Sequence, residues 1–446
     1  MNREEMAMST FLFYGYLPRM SGQAMDEPWA RYATDPDIRR QTLARLVSEK
    51  EPDLISRGMA IFRDMFRDVP KGTHVVPLSG GLDSRSILGG LLEAGLKNDI
   101  VAVTYGTPGS LDYEIPAVIC KETGVRHERI DLTQIDLRPL CEDVSIDPGQ
   151  WVFFDAAYRT LIIKKFGPDA IYWSGFMGGQ VAGFHSLRVA SESWDNACAE
   201  FVHHNQFVRS VRLWNPDFRP DAVLPAQPIF SRELLNFDDQ LDFAIRQLSY
   251  VKPIVIQDAY HWQAPLLFAD WVYFMLSVPY ELRARSFLYR KILLASYPGL
   301  YALPTRNDRG LTISSPGWLV LVQKALLSRG LRKGAAILAA VVSRRTGGFR
   351  CKSPLVNYID FDDSLRTRED IRDFISACIF DLRDRQALPW LDLERLWHRH
   401  MSRRDNYGDV LFLLAALEWN LRRSQGRVPN LEIRPARTCP PSGPPM

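Results

Sequence analysis

Several large classes of protein are excluded by what this sequence lacks. Its six cysteines, Cys120, Cys141, Cys198, Cys351, Cys378 and Cys439, are scattered, with no CxxC pair and no metal-ligand spacing. That argues against a disulfide framework or a zinc module and leaves buried free thiols in a reducing compartment as the expectation. No apolar run approaches the ~20 residues needed to cross a bilayer. The opening Met1-Asn2-Arg3-Glu4-Glu5 is charged, and Phe11 to Leu17 is too short and too aromatic for a signal core, so a cytoplasmic location is expected. An excess of one charge is missing too. Lys and Arg number 55 against 52 Asp and Glu, and a formal net charge of +3 gives no reason to expect nucleic acid as a partner. The GxxxxGK[ST] string is absent, which excludes a Walker loop. What is present is 446 residues of ordinary globular composition, enough for a sizeable core in one large domain or in two or three smaller ones.

The stretch Ser79-Gly80-Gly81-Leu82-Asp83-Ser84 stands out from that background. It follows the apolar run His74-Val75-Val76-Pro77-Leu78, which reads as a buried strand. It precedes Ser84 to Leu96, where Ile87, Leu88, Leu91 and Leu92 have helical spacing that closes near Gly95. A strand, a glycine turn and a helix start make an anion site, because backbone N–H groups and the positive end of the helix dipole face the turn. Gly80 and Gly81 let phosphate oxygens approach the backbone, and Ser79 and Ser84 add hydroxyl donors. Asp83 would repel phosphates unless a divalent cation lay between, and it is read as a magnesium ligand. The plain alternative is a Ser/Gly turn in which Asp83 caps the helix.

The rest of the chain sets that loop in an α/β fold. Ile100 to Tyr105 reads as a second strand, Tyr113 to Glu122 as a helix stopped by Gly124, and Val125 to Leu132 as a third strand. Ala170 to Trp173 is a fourth, running into a second glycine-rich loop, Ser174 to Gly183. Alternating strands and helices with short connections predict a parallel sheet flanked by helices, with ligands at the carboxyl ends of the strands. Before the loop, Phe11 to Pro18 is open between a strand and an aromatic anchor, and Arg39 to Phe66 reads as helix broken at Pro52. From Trp262 the chain reads as strongly helical, including Leu266 to Val278, Ser286 to Tyr297, Trp318 to Arg345 and Asp370 to Arg423. Histidines 398 and 400 on the last block read as structural rather than metal ligands. The parts divide as an approach segment at 1–60, a nucleotide-binding part at 61–310, a helical part at 311–433 and a disordered tail at 434–446.

With these motifs in order, the sequence resembles the asparagine synthetase family, specifically its synthetase domain, within the adenine-nucleotide alpha-hydrolase-like superfamily. The resemblance rests on the Ser79–Ser84 loop, Thr104-Tyr105-Gly106 running into Gly109-Ser110-Leu111-Asp112, Ser174-Gly175, and Ala264-Pro265-Leu266-Leu267. It continues through Ser277-Val278-Pro279, Leu288-Tyr289-Arg290-Lys291, Leu303-Pro304-Thr305-Arg306 with Gly310, and Leu417-Glu418. It implies ATP and Mg2+, with attack of a carboxylate on the alpha phosphate, release of pyrophosphate, and displacement of AMP by ammonia or an amine. By resemblance, Ser79, Gly80, Gly81 and Ser84 hold pyrophosphate and Asp83 holds the metal. Pro77, Leu78, Tyr105 and Gly175 line the adenine and ribose side, mostly through backbone. Arg306 and Arg309 lie where the family puts a basic group on the reacting phosphate.

Two departures shape the functional expectation. About 75 residues precede the loop, too few for the family's N-terminal glutaminase domain, so ammonia is expected from solution, from a separate glutaminase, or as another amine. The second loop, Phe176-Met177-Gly178-Gly179-Gln180, lacks the family's carboxylates. An amide ligase acting on a small-molecule or peptide carboxylate is the leading expectation, and a non-catalytic ATP-binding homologue working with a partner is the alternative. A tRNA-modifying relative would favour a basic surface or a CxxC, and neither is evident.

Overall fold

The computed structural model describes residues 1–424 apart from 20–21, 47–48, 145, 148, 187–188, 258–259, 329–355 and 357. Five strands form one sheet in the order β3-β2-β1-β4-β5, and every ladder is parallel. They are β1 (His74–Pro77), β2 (Ile100–Gly106), β3 (Arg126–Asp131), β4 (Ile171–Trp173) and β5 (Trp262–Gln263). Val75, Val76, Ile100 to Val103 and Ile171 to Trp173 are all buried, as expected when helices cover both faces of a parallel sheet. His74 pairs with Ile100 on one side and with Ile171 on the other, so β1 is central.

That order decides where a ligand binds. From β1 the chain steps to β2 and then β3 on one side, and β4 returns to the opposite side of β1. The loops leaving β1 and β4 therefore diverge and open a crevice at the switch point. The helix Asp83–Glu93 leaves the first of these loops, and the helix Leu111–Thr123 follows β2 and ends at Gly124, whose φ of 68° only glycine adopts without strain.

Two sequence expectations are corrected here. Phe11 to Pro18 is not a strand: Arg3–Tyr14 is a helix, and its buried Phe11, Phe13 and Tyr14 fit the aromatic-anchor alternative. A capping box starts it: the Glu5 N–H donates to Asn2 Oδ1 at 2.8 Å, and the Asn2 N–H donates to Glu5 Oε2 at 3.1 Å. Phe11 and Leu12 on this helix are fully buried in a core shared with Trp151, Phe154 and the C-terminal helices. Trp262 and Gln263 begin no helix but pair with Tyr172 and Trp173 as the edge strand.

The described part of the C-terminal region is helical, with Glu369–Asp384, Leu393–Met401 and Gly408–Arg423 packed together. The last is buried from Val410 to Leu417, and its Glu418 is ion-paired with Arg385 and Arg422. His400 is fully buried and accepts the Tyr407 N–H at 3.1 Å, a structural role. Cys120, Cys141, Cys198 and Cys378 are buried free thiols. No helix among the described residues is long and apolar enough to cross a membrane. Of the Trp318 to Arg345 reading, Gly317–Ser328 is a helix. The remainder of that reading, Cys351, Cys439 and the tail lie outside the described residues.

Candidate functional site

A cleft of about 340 Å³ opens at the crevice between β1 and β4. Pro77, Leu78, Ser79, Gly81, Asp83, Ser84, Tyr105, Gly175 and Arg306 line it, so most residues singled out in the sequence converge. Gly80 and Arg309 are not among the lining residues. Gly80 lies in the buried base of the loop, where its carbonyl accepts the Arg306 N–H at 2.8 Å. Arg309 takes a left-handed φ of 58° within the turn that follows Arg306.

The loop binds itself more tightly than its glycines suggest. Ser79 N–H donates to Ser84 Oγ at 3.1 Å, Gly81 N–H to Ser79 Oγ at 3.2 Å, and Gly80 N–H to Asp112 Oδ1 at 3.1 Å. These amides are thus held by side chains rather than left facing the cleft. The first-turn amides of the helix Asp83–Glu93, with the Ser79 and Ser84 hydroxyls that bond each other at 3.3 Å, are the donors that an anion would meet. Leu78 is similarly committed: its N–H donates to Val103 O at 2.8 Å, and its carbonyl accepts from Thr104 Oγ1 at 2.8 Å. Adenine recognition through the Leu78 amide is therefore closed, which leaves a carbonyl lone pair and apolar contact.

Asp83 does not cap its helix. The cap position is Leu82, with no side-chain bond, so the plain alternative fails. The carboxylate instead accepts the Tyr289 hydroxyl at 2.8 Å on one oxygen and the Gly179 N–H at 3.2 Å on the other. Burial pushes its pKa up to about 6 against the pull of those two donors. The second loop thus meets Asp83 with a backbone amide. Its glycines also make room. A Cβ on Gly175 would sit 2.8 Å from Asp83 Cβ, and one on Gly178 would sit 2.2 Å from Leu266 Cδ1 and 2.8 Å from Asp83 Cγ.

Several site residues were not singled out from the sequence. Asp112, at the second position of its helix and 6% exposed, bridges the Gly80 N–H and Arg306 Nε, the latter at 2.9 Å. Arg85 is fully buried, and its guanidinium donates to the carbonyls of Leu300, Leu303 and Pro304, clamping the loop to the Arg306 turn. Desolvation lowers its pKa to about 10. Tyr289 follows two successive left-handed residues, Arg285 and Ser286, with φ of 56° and 58°. Ser286 lines the cleft, and its buried Oγ has no hydrogen-bond partner. Strain and an orphaned hydroxyl at one spot are common marks of a binding site. Arg85 was hidden because it acts over long sequence separations, whereas Asp112 stood in the Gly109–Asp112 motif without a role assigned to it. Tyr289 carried a signal in its motif.

The donor set suits a nucleotide with magnesium. Asp83 retains lone pairs beyond the two in use, and magnesium bound with phosphates needs only one or two protein carboxylates. A self-sufficient metal cage is absent: no group of three or more His, Cys, Asp or Glu among the described residues is arranged to hold a metal ion.

No family model matches the chain. A 62-residue stretch is 34% identical to the 7-cyano-7-deazaguanine synthase of Marinomonas sp. (strain MWYL1), covering 14% of this chain and 28% of that relative. The likeness is local, spanning well under a third of the relative.

Proposed function

We propose that the chain is an ATP-using, AMP-forming ligase of the asparagine-synthetase type, which activates a carboxylate and passes it to ammonia or an amine. One observation carries the reading: the Ser79–Ser84 loop leaves the central strand at the switch point and starts a helix whose first residue, Asp83, faces the second glycine loop. The local likeness to 7-cyano-7-deazaguanine synthase supports relationship at the superfamily level. In the reaction, a carboxylate oxygen bonds to the alpha phosphorus as the bond to the bridging oxygen breaks and pyrophosphate departs. The amine nitrogen then bonds to the acyl carbon, AMP departs, and the nitrogen loses a proton.

Ser79, Ser84 and the helix start hold the departing phosphates, where fixed dipoles offset the developing charge. Asp83 would hold magnesium, which supplies positive charge to the phosphate oxygens. Arg306 is half-exposed and oriented by Asp112, which places a cation at the rim beside the loop. Arg309, three residues on in the same turn, is the second candidate cation for the reacting phosphate. Ammonia, or a separate glutaminase as partner, supplies the nitrogen. Wild-type protein with magnesium, ATP and a panel of carboxylates should form AMP and pyrophosphate. A panel that yields neither would remove the assignment. The contact between Gly179 N–H and Asp83, in place of a second carboxylate, favours a rival reading in which nucleotide is bound without turnover. One clear turnover to AMP excludes that rival.

A further inference from the structure

We propose that Arg159 is an oxyanion anchor in the cleft, separate from the Ser79–Ser84 loop. It would take either a carboxylate of the acid substrate or a phosphoryl oxygen of the nucleotide. Arg159 lies in the second turn of the helix Asp155–Phe166 and lines the same cleft as Asp83. Four other arginines near the site have protein partners: Arg85 three carbonyls, Arg306 Asp112, Arg290 Asp308, and Arg283 Asp239. Among the described residues the Arg159 guanidinium forms no hydrogen bond and no ion pair, and its Nε is buried without a partner. Asp155, one helical turn earlier, forms no ion pair with it; that carboxyl is buried, bonded to the Tyr250 hydroxyl at 3.4 Å, and pushed up to about 7.

An unpaired buried donor is costly, so a position that keeps one beside a cleft is prepared for an acceptor from outside. The surroundings hold the group ready. The guanidinium carbon lies 5.8 Å from the Tyr105 ring centroid, and that ring stacks on Tyr358 at 5.4 Å with planes 21° apart. Val251 and Val255 line the same cleft. A planar fork of donors set against aromatic and aliphatic surface matches the paired oxygens of a carboxylate or a phosphoryl group.

Only the carboxylate arm rests on the ligase reading; the nucleotide arm needs ATP binding alone. The test uses full-length protein with magnesium and the variants Arg159→Ala and Arg159→Gln, the second keeping a polar stem should the first fail to fold. Two quantities are measured: the Kd for ATP by calorimetry, and the KM of the best acid in ATP–pyrophosphate exchange. A rise of about 10- to 100-fold in the acid KM with ATP affinity unchanged assigns Arg159 to the substrate carboxylate. A similar rise in the ATP Kd assigns it to a phosphate, the size in both cases being that of one lost charged hydrogen-bond pair. Changes within about twofold in both quantities overturn the proposal. Should no acid support exchange in wild type, the ligase reading falls, and the ATP Kd alone decides: unchanged in Arg159→Ala, the anchor falls with it.

Discussion

Asp83 is a carboxylate held near its titration point, and function is expected to follow its charge. Its ordinary pKa lies near 4, and burial raises it to about 6 in the folded chain. The sign follows from that direction. Because the folded state disfavours the ionised form, the metal-free protein should lose stability as pH rises from about 4 to about 6 and change little above. Metal binding runs the other way, since the ligand must be deprotonated. Magnesium-dependent ATP affinity is therefore predicted to climb about tenfold per pH unit below about 6 and to level off above it. Titration calorimetry across pH 5 to 8 checks this, and a flat profile in wild type would count against Asp83 as the ligand. The Tyr289 hydroxyl favours the charged form, so Tyr289→Phe should move the midpoint upward by about one pH unit. An unchanged midpoint would separate Tyr289 from the chemistry.

At the scale of elements, two loops meet through missing side chains. Gly175 and Gly178 let the second loop close on Asp83, and a methyl group at Gly178 would collide with both Leu266 and the carboxylate. Gly178→Ala is expected to cost about 1–3 kcal/mol in urea unfolding, as for an overpacked core, and to weaken ATP binding at least about tenfold. Normal binding by a fully folded Gly178→Ala would show that the close approach is dispensable. Much of this scaffold was legible in the sequence. β1, β2 and β4 were readable as apolar runs bounded by turn residues, and Gly124 marked a helix end before the charged β3. β5 was not legible, because two residues have no periodicity and are held in place by pairing with β4. The first helix was obscured by its aromatics, although Asn2 and Glu5 carried a capping signal. The Ser79–Ser84 turn and the helix it starts were legible as a local motif. Arg159 was not, and the partners of Asp112 were not, since these contacts arise only when the fold brings the segments together.

Across the whole molecule, buried charge ties distant segments to the site. Arg283 and Asp239 form an ion pair in which both side chains are under 10% exposed, and Arg283 Nη1 also donates to Val181 O at 3.2 Å, beside the second loop. Arg283→Met would strand Asp239 and is predicted to cost about 3–5 kcal/mol, with most of the loss recovered in Arg283→Met/Asp239→Leu. Chemical denaturation of the two variants tests this; equal losses in both would mean that packing, not charge, sets the cost. The most direct test of the central assignment is ATP–pyrophosphate exchange with magnesium and an acid panel, comparing wild type with Asp83→Ala. Exchange by wild type and none by a folded Asp83→Ala is the predicted result. Equal exchange by the two proteins, or cleavage to ADP and phosphate, would contradict it.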